Sequence, residues 1–219
     1  ARIGALVNHQ ALVTSPDVQQ MLPLVAETYR QVATVRVRNV ATVGGGLVHA
    51  DPNQDPQVAL LCLDALVRLR SKSGERTLAL SDFASDYYET ATRPDEILTD
   101  VSMPLLPSGA GYAYLKFLPR TADDYATVSA AAVVALQDGA ISDVRVAFGS
   151  AAPTARRVPE AERMLKGQKP TPELLRAAAE TAKELADPVS DGRGSAGYKK
   201  EMVPVFVRRA LEKALERAR

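Results

Sequence analysis

Apolar and polar positions alternate with a period of two along several stretches of the chain and recur every three or four residues along others. Residues 3–8 and 97–103 carry the extended pattern, the second closed by Pro104. Residues 67–80 alternate as well, with Ser73-Gly74 at their centre, and predict a hairpin. Residues 32–43 are rich in β-branched side chains and predict an extended segment running into Gly44-Gly45-Gly46. Ser15 and Pro16 suit the N-cap and first position of a helix whose apolar side continues through Leu22, Val25 and Ala26. Residues 56–65 predict a buried helix, and Ser81-Asp82-Phe83 a turn.

Leu105-Leu-Pro-Ser-Gly-Ala-Gly111 is rich in turn formers and marks a boundary. After it, residues 112–118, 126–137 and 141–149 predict three strands. Asp138-Gly139 is a strong hairpin signal between the last two. Residues 128–136 also have helical propensity, and the Asp-Gly pair decides for strand. Helical periodicity then runs through residues 160–165, 172–185 and 199–218. The last carries Val203, Val207, Ala210, Leu211, Ala214 and Leu215 on one side. The expected class is α+β, in two units, 1–105 and 111–219, each a small sheet with helices on it.

Composition narrows the chemistry. The chain has 219 residues, 46% hydrophobic and 24% charged, as ordinary globular proteins do. A net charge of +1 gives no electrostatic reason to expect nucleic acid or an anionic membrane as partner. No apolar run approaches the roughly 20 residues that span a bilayer. The lone Cys62, in an apolar run, predicts a buried thiol on a helix. No disulfide forms within the chain, and its thiols cannot build an iron–sulfur cluster or a structural zinc site. His9 and His49 are the only histidines, and both are expected to be structural or to support a site from behind its contact residues. Redox chemistry would have to come from a bound organic cofactor.

Residues 41–56 carry the strongest hint of such a cofactor: Ala-Thr-Val-Gly-Gly-Gly-Leu-Val-His-Ala-Asp-Pro-Asn-Gln-Asp-Pro. A triple-glycine turn leaves backbone amides bare and permits positive φ, which suits a phosphate or pyrophosphate. Asp51 and Asp55 follow, placed to accept hydrogen bonds from ribose hydroxyls. The spacing is neither Gly-x-Gly-x-x-Gly nor a P-loop.

The same stretch resembles the second FAD-binding segment in the flavoprotein (medium) subunits of the molybdenum hydroxylases, the carbon monoxide dehydrogenase and xanthine dehydrogenase family. Arg38, Asn39, Ala41, Thr42, Val43, Gly44, Gly45, Asp51, Pro52 and Asp55 match its pattern. Gly46 stands where Asn or Ser is usual, so one side-chain hydrogen bond is missing. Residues 83–98 are similar to the family's Thr-x-Leu-x-Pro-x-Glu-Ile/Leu-Leu stretch, which implies Leu98 near the isoalloxazine. Residues 112–126 are similar to Tyr-x-Lys-x-x-x-Arg-x-x-x-Asp-Tyr/Trp-Ala, which implies Lys116 meeting FAD from the second unit, Tyr125 beside the ring, and Asp123 or Asp124 adjusting local charge. Residues 188–202 resemble a further family stretch, for which a structural or subunit-contact role is expected, and Asp191 and Arg193 suit a charge-assisted pair that orders the loop.

The resemblance covers nearly the whole chain. It implies the second half of a two-subdomain FAD-binding domain of the PCMH type, then a C-terminal domain with a three-stranded antiparallel sheet and helices. No Ala-Gly-Gly-x-Ser-Leu phosphate loop is present, so the first FAD-binding subdomain is expected to be missing. The implied function is electron transfer through FAD to an external acceptor. FAD is to be held by Thr42, Val43, Gly44, Gly45, Gly46, Asp55, Leu98, Lys116 and Tyr125, with no catalytic acid or base and no metal on this chain. The implied partners are a small iron–sulfur subunit and a large molybdopterin subunit, in a dimer of heterotrimers. The implied location is cytoplasmic, with contact to the inner membrane face through the acceptor. A flavin-free docking subunit and a stand-alone flavin oxidoreductase are the rival readings.

Overall fold

The computed structural model describes residues 1–121 and 123–219; Ala122, inside the motif at 112–126, lies outside them. Strand β1 (Arg2–Gly4) leads into helices α1 (His9–Thr14), α2 (Pro16–Met21), α3 (Pro23–Arg30), α4 (Val35–Val40), α5 (Val43–His49) and α6 (Asp55–Cys62). Strands β2 (Leu66–Ser71), β3 (Gly74–Ala79), β4 (Ala84–Asp86), β5 (Glu89–Thr90) and β6 (Ile97–Ser102) complete the first half. The second half holds β7 (Gly111–Lys116), β8 (Ser129–Gln137), β9 (Ala140–Gly149) and β10 (Arg156–Arg157), then α7 (Pro159–Leu165), α8 (Pro172–Glu180) and α9 (Ala196–Arg217). The class is α+β, as expected. Two antiparallel sheets have the orders β1-β6-β2-β3 and β10-β9-β8-β7, and β4 pairs with β5 apart from them.

The second sheet is buried on both faces. Along β8, Ala131 and Val133 join the core shared with α3, α6 and the first sheet, while Ala130, Ala132 and Val134 join the core under α7, α8 and α9. Side chains on a strand alternate between faces, so two apolar environments turn the alternation into a continuous apolar run. Asp138 and Gly139 both take positive φ, 51° and 74°, in the β8–β9 turn, which settles these residues as strand. Glycine permits two close contacts: a Cβ on Gly149 would lie 2.5 Å from Val58 Cγ2 of α6, and one on Gly111 would lie 1.9 Å from the Ala214 carbonyl oxygen of α9.

Several expectations change. Residues 32–43 are not extended: they form the α3–α4 turn, α4 and the cap of α5. Thr34 and Thr42 are N-caps, accepting from the amides of Val37 at 3.4 Å and Gly45 at 3.1 Å. The Arg38 guanidinium donates to the carbonyls of Val32 and Ala33, both at 2.8 Å, and closes the turn in which Ala33 adopts φ 40°. The strand expected over residues 3–8 stops at Gly4, and Asn8 instead caps α1 and bridges to Thr42. A short fourth strand, β10, joins the three expected in the second sheet. Helix α8 gives way to a 3-10 turn over Thr181–Leu185, and α9 starts at Ala196 under the Ser195 cap and carries Pro204 within it.

Candidate flavin-binding cleft

A cleft of about 640 Å³ opens where the two halves of the chain meet. Its apolar lining comes from Val32 and Ala33 of the α3–α4 turn, Val37, Val40 and Ala41 on one face of α4 and its end, and Pro56. Thr42, Gly45, Gly46, His9, His49 and Gln54 supply polar lining from the first half. Lys116, Asp123, Asp124 and Tyr125 enter from the second.

The glycine triplet is helical rather than a turn. None of Gly44, Gly45 and Gly46 takes positive φ, and their amides have acceptors within the chain. The Gly44 amide donates to the Ala5 carbonyl at 2.8 Å, that of Gly45 to the Thr42 hydroxyl, and that of Gly46 to the Thr42 carbonyl at 2.9 Å. The expected nest of free donors is therefore absent. The glycines serve close approach instead. A Cβ on Gly44 would lie 2.6 Å from Ala5 Cβ, which lets α5 seat against the chain after β1. A Cβ on Gly46 would enter the cleft, 3.2 Å from Gln54 Oε1 and 3.6 Å from His9 Nε2.

Asp55 opens α6, and its carboxylate is already engaged. Oδ2 accepts from Lys116 Nζ at 2.8 Å, Oδ1 accepts the Tyr114 hydroxyl, and Lys116 also donates to the Gln31 carbonyl at 3.1 Å. Tyr114 and Lys116 are two apart on β7 and so share a face. Burial pushes the Asp55 carboxyl up, while the Lys116 charge and both hydrogen bonds pull it back. The carboxylate expected to wait for a ribose instead joins the two halves.

Asp51, also buried, accepts from the Asn53 amide at 2.9 Å and lies beside two phenols, Tyr88 and Tyr125. Its charge is the main cause of the raised Tyr88 pKa; burial leads for Tyr125, with Asp51 adding to it and Arg193 opposing. Tyr88 holds φ 58°, uncommon for a bulky residue, and its ring lies 5.3 Å from that of His49. His9 is buried with Nε2 3.1 Å from the Thr42 carbonyl, so Nε2–H donates there, and Nδ1 has no partner among the described residues. Burial lowers the His9 pKa and keeps the ring neutral, with the Thr42 carbonyl opposing and Arg38 assisting.

Of the residues singled out from sequence, Thr42, Gly45, Gly46, Asp55, Lys116 and Tyr125 come together at the cleft. Val43 and Gly44 are buried behind it. Leu98 does not reach it: it pairs with Leu69 on the first sheet, 8% exposed, inside the core. The apolar wall of Val37, Val40 and Ala41 escaped the sequence reading. Its i, i+3, i+4 spacing was the available signal, hidden by the alternation of Val35-Arg36-Val37-Arg38.

The cleft suits FAD on structural grounds. Its volume lies within the usual range for ligand pockets, roughly 300–1,000 Å³, and its lining mixes apolar and polar groups. A Cβ at Gly46 would project into the cleft toward Gln54 and His9, so the glycine keeps this part of the wall open to a ligand.

Comparisons with known proteins agree. The description "FAD binding domain in molybdopterin dehydrogenase" matches residues 1–106, and "CO dehydrogenase flavoprotein C-terminal domain" matches residues 113–214. The nicotine 6-hydroxylase medium subunit of Paenarthrobacter nicotinovorans is 37% identical over 97% of this chain and 74% of its own length. The carbon monoxide dehydrogenase medium chain of Afipia carboxidovorans is 36% identical over 99% of this chain and 75% of its own. The solved carbon monoxide dehydrogenase of Hydrogenophaga pseudoflava matches with a TM-score of 0.97 at 36% identity, covering 100% of this chain and 76% of that one. Among the described residues no helix is long and apolar enough to cross a membrane. With its fold, its cleft and these relatives in agreement, the chain belongs to the FAD-binding medium-subunit family of the molybdenum hydroxylases, of the carbon monoxide dehydrogenase and xanthine dehydrogenase type.

Proposed function

We propose that this chain holds FAD in the cleft between its two halves and passes electrons from iron–sulfur clusters on a small partner subunit to an external acceptor. The observation that carries the reading is the cleft itself: α4, α5 and α6 of one half face Lys116 and residues 123–125 of the other around one cavity of ligand size. Bound FAD would supply the electron-transfer chemistry, and the protein would hold it, exclude water and control access. Gly45 and Gly46 give the pyrophosphate a close approach to backbone, and the Thr42 hydroxyl keeps its hydrogen for it. Val37, Val40 and Ala41 cover apolar ligand surface. Tyr125 lies at the isoalloxazine, where an aromatic side chain stacks on or shields one face. Asp55 and Lys116 set the cleft's floor by fixing the distance between the halves. Val43, Gly44 and Leu98 support these residues from behind.

The same reading assigns the substrate reaction to a large molybdopterin subunit, places the three subunits in a dimer of heterotrimers, and locates the assembly in the cytoplasm. The relatives' names, medium subunit and medium chain, support a multi-subunit assembly, and the family description supports a molybdopterin partner. A visible absorbance scan of the purified complex tests it. Oxidised flavin bound by wild type and depleted by Asp55→Ala with Lys116→Ala is the expected result; unchanged occupancy in the double variant contradicts the site.

A further inference from the structure

We infer that Arg193 is a positioning residue for the aromatic end of the cleft, holding Tyr125 from behind; this rests on the flavin site proposed above. Unlike the buried Lys116, residues 123–125 that enter the cleft from the second half have little packing of their own: Asp123 and Tyr125 are exposed and Asp124 is half-buried. Their support comes from a different loop, residues 189–194, just before α9. The Arg193 guanidinium carbon lies 5.3 Å from the centre of the Tyr125 ring. Arg193 Nη2 is 3.5 Å from Asp124 Oδ1, the same oxygen that accepts the Tyr125 amide at 2.7 Å. The Thr127 hydroxyl donates to the Arg193 carbonyl at 3.4 Å, and Arg120 donates to the Gly192 carbonyl. One guanidinium thus contacts both the ring and the carboxylate that orients its backbone.

The supporting loop is itself braced. Asp191 and Gly194 exchange backbone hydrogen bonds at 3.1 and 3.2 Å. The Asp191 carboxylate accepts the Arg193 amide at 2.8 Å and pairs with Arg193 Nη1 at 3.2 Å. Lys199, buried on the first turn of α9, reaches that carboxylate at 2.8 Å and the Val189 carbonyl at 3.1 Å. A chain of alternating charges, Lys199, Asp191, Arg193 and Asp124, therefore runs from the helix to the cleft. A cation over one face of a phenol ring is attracted by its quadrupole and occupies that face. The ring's opposite face is what remains for a ligand.

The test is a fluorescence titration of the deflavinated complex with FAD, for wild type, Arg193→Gln, Arg193→Lys, Tyr125→Leu and the Arg193→Gln/Tyr125→Leu double variant. Arg193→Gln is expected to weaken FAD binding about three- to fivefold, the scale of one cation–π contact at an exposed site, and Arg193→Lys to restore part of it. In the Tyr125→Leu background, Arg193→Gln is expected to have no further effect. Unchanged affinity in Arg193→Gln, or an equal loss with and without Tyr125, overturns the inference. Should Arg193→Gln not fold, Asp191→Asn in both Tyr125 backgrounds measures the same coupling, with the same outcomes for and against. A wild-type complex that binds no FAD defeats the proposed site itself, a result distinct from additivity.

Discussion

Lys116 and Asp55 are 61 residues apart in sequence and meet at 2.8 Å, with side chains 1% and 4% exposed. Ions this deeply buried lose most of their hydration, so their worth lies in being paired. The prediction is asymmetric. Lys116→Met leaves a buried carboxylate with only the Tyr114 hydroxyl and is expected to destabilise by about 3–5 kcal/mol. Adding Asp55→Asn removes the orphaned charge and is expected to recover at least ~1 kcal/mol. Denaturant unfolding of the single and double variants measures both; strictly additive losses would show that the pair does not couple the halves.

Gly44 separates packing from ligand contact. Its missing Cβ would press on Ala5, so Gly44→Ala is expected to cost roughly 1–3 kcal/mol through overpacking. Because Gly44 lies behind the cleft wall, the folded variant should keep its FAD affinity. Thermal unfolding together with an FAD titration reads both quantities, and a stable variant that had lost FAD would place Gly44 in the ligand's path.

Arg76 and Glu96 pin the 91–96 loop to the β2–β3 hairpin, with Nε–Oε1 at 2.6 Å and the Arg93 amide on Oε2 at 2.8 Å. The hydrogen bond from Arg76, above all, holds Glu96 at about 2, down from 4.5. A depressed carboxyl stabilises fully above its unfolded pKa and loses that contribution as pH falls toward the folded one. The apparent Tm gap between wild type and Glu96→Gln should therefore be full above pH 4.5 and close between there and pH 2. A gap that stays constant across that window would remove Glu96 from the account.

Cys62 is fully buried on α6, its Sγ–H donating to the Ala131 carbonyl at 3.3 Å, and burial pushes its pKa up to about 12. The thiolate is the reactive form, so the native protein should be inert to a thiol reagent at about pH 8 and react at once in denaturant. Rapid labelling of the folded chain would show that the contact between α6 and the second sheet opens readily.

Much of the fold was legible because local signals agreed with it. Asp138-Gly139 supplied the positive φ that its turn requires, and the alternation across Ser73-Gly74 matched a real hairpin. The segment from Val32 to Gly46 was misleading because its strand-like composition is overruled by local side-chain to backbone bonds, Arg38 closing the turn and threonine caps at positions 34 and 42, and by one tertiary contact, Gly44 against Ala5. The motif residues Thr42, Gly45, Gly46, Lys116 and Tyr125 did converge on one cleft. What the sequence could not show was partnership. Nothing local says that Asp55 is already taken by Lys116 and Tyr114, that Leu98 faces the core, or that Arg193 lies over Tyr125.

The central claim is that the cleft between the halves is where FAD binds, and Gly46→Leu addresses it most directly. The added side chain projects into the cleft, beside the flexible Gln54 end, from a residue without positive φ. Fluorescence titration of the deflavinated complex with FAD should give one site per chain in wild type. In Gly46→Leu, at unchanged Tm, affinity should be at least about tenfold weaker, as expected when a filled pocket excludes its ligand. Wild-type affinity and stoichiometry in that variant would contradict the claim.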